Sequence, residues 1–122
     1  MEETGATILF EISGIVTEGG KKATALGYPT ANIACESAVP SGIYAGSVVW
    51  KGAPYPAALY KEEGKDVIEA HLLDFSQSLY GEMLIFRAFQ KVRDSKKFSS
   101  KEELVAAIAQ DIATVKKLCS QE

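Results

Sequence analysis

A chain of 122 residues fits one domain, expected here to run over residues 1–122, and can bury a core without disulfide or metal staples. Hydrophobic residues make up 47% and charged residues 24%, an ordinary globular balance, and the formal net charge of −3 argues against a nucleic-acid surface. No apolar run reaches the length of a membrane span, so neither a nucleic acid nor a membrane is an expected partner.

The opening MEETGATILF has no basic stretch before its apolar residues and does not read as a secretory signal. ATILFEISGIV alternates β-branched and apolar residues as a strand and stops before Gly19-Gly20. Residues 17–29, TEGGKKATALGYP, form a loop of small residues with two lysines. TANIAC is a short strand closed by the polar patch ESAVPSG. GIYAGSVVWKG and YPAALYKEEG follow as two strands, with a hairpin turn expected at Gly52-Ala53-Pro54. KDVIEAHLLDF alternates strictly around Val67, Glu69 and His71, and EMLIFRAFQKV over 82–92 is one more strand. Strands at such short, regular spacing imply a sandwich or small barrel.

The period then changes. In SSKEELVAAIAQDIATVKKLC, Leu104, Val105, Ile108, Ile112, Val115 and Leu118 recur every three to four residues, forming one stripe of a helix. Ser100 followed by Glu103 predicts a capping box, and Lys116 and Lys117 suit the negative end of the helix dipole. Cys35 and Cys119 are far apart and form no Cys-x-x-Cys pair, which excludes a redox motif and favours a reducing cytoplasm.

Several chemistries are excluded by spacing. Gly14 and Gly19 have the separation of a P-loop, but Gly20 stands where the lysine is required. No strand–GxGxxG–helix fingerprint and no GxSxG nucleophile elbow occur. His71 shares a strand face with Glu69, yet a lone Glu-x-His falls short of the three protein ligands zinc needs. Glu69 either faces solvent or turns into a site, and alternation alone favours the solvent face. Thr30 and Asn32, in GYPTANI, offer neutral oxygens suited to a hard cation, or else make local turn hydrogen bonds. Gly19 and Gly20, with Lys21 or Lys22 nearby, have the makings of an anion nest.

Taken in order, LGYPTANI, GIYAG, EAHLLDFSQSLYGE and VRDSKKFSSKEELVAAIAQDI resemble the riboflavin kinase (flavokinase) domain family, from about Ile12 to Lys117. The resemblance implies a mainly β fold, a six-stranded Greek-key β-barrel with a C-terminal α-helix. It implies transfer of a phosphoryl group from ATP to riboflavin, making FMN and ADP with Mg2+ as cofactor. Thr30 and Asn32 would hold the metal, and Glu69 would be the base. Gly19, Gly20, Lys22 and His71 would bind the nucleotide, and Arg93 and Asp111 the flavin. A cytoplasmic monomer is expected. Two departures stand out: Ala23-Thr24 replaces the family's usual Gly-Arg, and ALYKEEGKDVIEA lacks its Asn-Ile-Gly…Pro-Thr-Phe stretch. They make a non-catalytic flavin- or nucleotide-binding relative the alternative reading.

Overall fold

The computed structural model of the protein describes residues 8–17, 30–35, 39–73, 75 and 79–119. Among them six strands and one helix follow in chain order: β1 Phe10–Ile15, β2 Ala31–Ala34, β3 Gly42–Trp50, β4 Ala53–Lys61, β5 Val67–Leu72, β6 Met83–Arg93 and α1 Lys101–Cys119. All neighbouring strands are antiparallel, in the order β1-β6-β3-β4-β5-β2. β3, β4 and β5 make a meander and β6 returns beside β3, the Greek-key connection. The end strands meet at a bridge between Thr17 and Asn32, where the Thr17 N–H donates to the Asn32 carbonyl at 2.9 Å. The sheet is thereby nearly closed into a barrel, which leaves little unpaired edge.

Alternation along the strands sorts side chains onto two faces. Ile33, Leu59, Ile68, Ala70, Leu84 and Phe86 point inward and form the barrel core. On the outer face a smaller cluster, Ala45, Ala58, Leu73 and Val115, packs with Ile112 and Leu118 and seats α1 against the barrel. In β5 the split is clean: Ile68, Ala70 and Leu72 are buried, while Val67, Glu69 and His71 are half-buried on the outer side.

The β3–β4 hairpin differs from the expected turn. Trp50 pairs with Ala53, so the turn is Lys51-Gly52, with φ of 52° and 81°. Both central residues in the left-handed region make the tight primed turn that matches strand twist. Pro54 and Pro56 belong to β4, on the stretch that pairs with β3 but that β5, beginning its pairing at Ala57, does not reach. Prolines are tolerated there because no second ladder needs their missing N–H groups.

The β3–β6 ladder shifts register between Ile43 and Tyr44 and again between Ala45 and Gly46. A Cβ at Gly46 would lie 2.0 Å from the Arg87 carbonyl oxygen, so the close approach requires glycine. The two shifts carry Arg93 opposite Ile43, at the end of the barrel that α1 overhangs.

α1 starts as a capped helix, with one change from the expected box. The Glu103 N–H donates to Ser100 Oγ at 3.1 Å, but the Glu103 carboxylate reaches back to Ser99, accepting from its N–H at 3.2 Å and its hydroxyl at 2.9 Å. Those bonds hold the Glu103 carboxyl below the usual carboxylate range. Ile108, Asp111 and Val115 are buried at helical spacing. Asp111 is a charge among apolar residues, and Arg93 meets it with a two-pronged bridge, Nε to Oδ1 and Nη2 to Oδ2, each 2.8 Å. The Asp111 side chain is 3% exposed and that of Arg93 27%, so the pair joins α1 to β6 largely out of water.

Asp111→Ala should lower the unfolding free energy by about 3 kcal/mol, the scale for stranding one partner of a buried pair. The double variant Arg93→Met/Asp111→Leu should recover much of that loss, because no charge is left unpaired. Urea midpoints measure both; a single variant as stable as the parent would show that the bridge does not anchor the helix.

Candidate active site

A cavity of about 630 Å³ lies between the outer face of β4 and β5, the segment 94–98 and the first turns of α1. That volume is within the range of small-molecule sites. Ile43, Val67, Phe98, Leu104 and Ile108 supply an apolar part of its wall. Lys61, Lys65, Arg93, Lys96 and Lys97 also line it, against the two carboxylates Glu62 and Glu69, a formal +3 in a chain of net −3. Concentrating cations in a partly enclosed, low-dielectric cleft favours an anionic ligand.

Glu69 reaches this wall because β5 buries its even-numbered residues in the barrel. Its carboxyl is pushed above the ordinary value of 4.5, first by burial and then by the like charge of Glu62. A carboxylate so placed holds a proton more readily than a solvated one, the property a general base needs. In the β2–β5 ladder Glu69 stands directly opposite Asn32. Side chains of an opposed antiparallel pair share a face, about 5 Å apart at Cβ.

Asn32 is buried, and its Oδ1 has no hydrogen-bond donor among the described residues. Thr30, two residues earlier and on the same face, has its Oγ1 buried and equally unsatisfied. Leaving two buried acceptors unmade costs free energy, which a hard cation drawing on neutral oxygens would offset. Local turn hydrogen bonds do not account for either oxygen. The donor set therefore fits a divalent cation.

Four of the residues expected from sequence, Thr30, Glu69, His71 and Arg93, line the one cavity. Asn32 and Asp111 are not among the lining residues, and Asp111 pairs with Arg93. Arg93 also donates from Nη1 to the Asp94 carbonyl at 3.0 Å, and its guanidinium lies 5.6 Å from the Phe98 ring centre. Lys96 Nζ sits 5.3 Å from the same ring. Gly19, Gly20 and Lys22 lie outside the described residues. Unforeseen were Lys61 and Lys65. Of these only Lys61 carries a sequence signal, as a charge continuing the inward alternation Ala57, Leu59, Lys61.

The raised Glu69 carboxyl has a consequence for stability. Folding raises its proton affinity, so the folded state binds more protons than the unfolded one between the two values, and stability falls as pH rises through that window. Glu69→Gln should therefore melt above the parent at neutral pH, and the gap should close as pH falls below the ordinary value of 4.5. Melting curves from pH 3 to 8 test this, and a gap independent of pH would mean Glu69 is not desolvated.

A family model for riboflavin kinase (flavokinase) matches residues 7–119. The bifunctional riboflavin kinase/FMN adenylyltransferase of Pseudomonas fluorescens is 37% identical over 120 residues, covering 91% of this chain and 39% of that protein. The chain thus spans about two fifths of that relative's length. Among solved structures, a macrolide-efflux protein from Streptococcus pneumoniae superposes with TM-score 0.78 at 24% identity, over 87% of this chain and 38% of that one. Riboflavin kinase from Trypanosoma brucei superposes with TM-score 0.66 at 24% identity, over 91% and 80%. Both structures share the fold. With the match running through every strand and through the helix, the chain belongs to the riboflavin kinase (flavokinase) family.

Proposed function

We propose that this chain transfers the terminal phosphoryl group of ATP to the 5′-hydroxyl of riboflavin, giving FMN and ADP. The observation that carries the reading is the Asn32–Glu69 pairing, which sets a cavity-lining, proton-accepting carboxylate opposite the buried, unsatisfied Asn32 Oδ1, with the equally unsatisfied Thr30 Oγ1 at a residue that lines the same cationic cavity. Glu69 takes the proton as the ribityl oxygen bonds to phosphorus and the bond from phosphorus to the β-phosphate oxygen breaks. Thr30 and Asn32 would hold Mg2+, which supplies charge neutralisation on the phosphates when bound. Phosphoryl transfer asks mainly for positioning and neutralised charge, so one carboxylate beside a cation-lined wall is a sufficient kit. The apolar wall of Phe98, Leu104 and Ile108 suits the flavin ring. Arg93, its fork fixed by Asp111 and the Asp94 carbonyl, has three of five N–H groups engaged and offers the rest to the flavin. His71 stands on the nucleotide side, with Thr30. No helix among the described residues is long and apolar enough to cross a membrane.

Incubation with riboflavin and MgATP should yield FMN, separated from riboflavin by chromatography. Binding of both ligands without any FMN would favour the non-catalytic alternative. Glu69→Gln should keep riboflavin binding and lose about a hundredfold or more in turnover, the scale for a lost general base. Unchanged turnover would remove Glu69 from the mechanism.

Thr30→Ala and Asn32→Ala should each raise the magnesium concentration needed for half-maximal rate several-fold, with little change in melting temperature. Early melting with normal magnesium dependence would make both residues structural.

A further inference from the structure

Lys61 is among the largest of the fully buried side chains, at 1% exposure. It ends β4 on the inward side, after Ala57 and Leu59, and pairs across the ladders with Ile68 and with Gly42. The ammonium donates to the Glu62 carbonyl at 3.1 Å, its one hydrogen bond among the described residues. An ammonium has three donors, and no carboxylate of the described residues lies within ion-pair distance of this one. It does not serve Glu69, whose carboxyl responds to burial and to Glu62.

Burying a cation without a counter-ion costs several kcal/mol. A lysine that merely covers apolar surface with its stem keeps its head in water, and this head is not in water. Lys61, at the end of β4, is nevertheless among the residues that line the cavity, with Thr30 and Glu69.

We propose that Lys61 is a phosphate-binding residue of this cavity, whose buried, under-paired ammonium takes up the negative charge of a nucleotide's phosphate groups. This deepens the kinase reading and rests on it for the identity of the nucleotide, though the anion site itself does not depend on turnover. A compact ammonium acts on phosphate as a point charge, without the bidentate geometry of arginine. Its role is binding and charge neutralisation; the proton is left to Glu69.

The test compares the parent with Lys61→Met, which keeps the stem and removes the charge, and with Lys61→Arg, which keeps a charge. Titration calorimetry measures MgADP and inorganic tripolyphosphate, flavin fluorescence quenching measures riboflavin, and FMN formation is followed in parallel. Lys61→Met should weaken MgADP and tripolyphosphate at least tenfold, flatten the salt dependence of both, and leave riboflavin affinity within about twofold. It should melt no lower than the parent, since a buried unpaired charge is gone, and Lys61→Arg should restore part of the anion affinity. If the parent makes FMN but Lys61→Met binds both anions as the parent does, the proposal is overturned and the kinase reading stands. If the parent makes no FMN yet loses tripolyphosphate binding on Lys61→Met, the kinase reading fails and the anion site stands. A parent that binds neither anion overturns the proposal, and so does a loss of riboflavin as large as the loss of the anions.

Discussion

The register between β2 and β5 governs both the core and the site. Ala31, Ile33, Ile68 and Ala70 of these strands lie in the barrel core, where Ile33 faces Ile68 across the ladder and Ala31 faces Ala70. A shift of one residue would send them outward and draw Asn32 and Glu69 into an apolar interior. Full burial of one large aliphatic side chain contributes about 1.5–3 kcal/mol, so the barrel interior holds the polar pair on the outer wall with no direct contribution from the pair. Asn32 also accepts the bridge from Thr17 that brings β1 against β2. Closing the barrel and presenting the carboxylate are consequences of the same alignment.

Around that alignment the charges are distributed unevenly. Glu69 is kept half out of water beside Glu62, which disfavours its ionised form, while five cationic side chains share the same wall. Arg93 is tied to Asp111 on α1, so the helix that roofs the cavity also orients one of its cations. The site therefore carries stress that folding alone does not relieve: two orphaned oxygens, a desolvated carboxylate and an under-paired ammonium. Groups of this kind persist where a ligand completes them.

Much of this is legible in the sequence. Period-two alternation located β5 and showed that Glu69 and His71 share a face, and the three-to-four stripe located α1. Alternation says which side chains lie together but not what covers them. The choice between solvent and site for Glu69 needed the segment 94–98 and the first turns of α1 folded over β5, a contact between residues distant in sequence. Asp111 follows Leu104 by two helical turns and so shares a side with the apolar stripe. Its partner Arg93 reaches it only after two register shifts in β6, and a bulge leaves little trace beyond Gly46. The hairpin was misplaced because Pro54 resembles a turn residue, and a proline on an open strand edge is invisible without the pairing. Lys61 continues the inward alternation of β4, but a lysine near a strand end ordinarily reads as solvated.

The most direct measurement is a crystal structure of the protein with ADP, riboflavin and Mn2+ in place of Mg2+, with the metal located by its anomalous signal. The expected peak lies within ligand distance of Thr30 Oγ1 and Asn32 Oδ1, on the phosphate side, with the riboflavin 5′-hydroxyl at the Glu69 carboxylate. A metal bound away from both oxygens, or a flavin whose 5′-hydroxyl lies beyond reach of Glu69, would contradict the assignment of this wall as the place where the phosphoryl group is transferred.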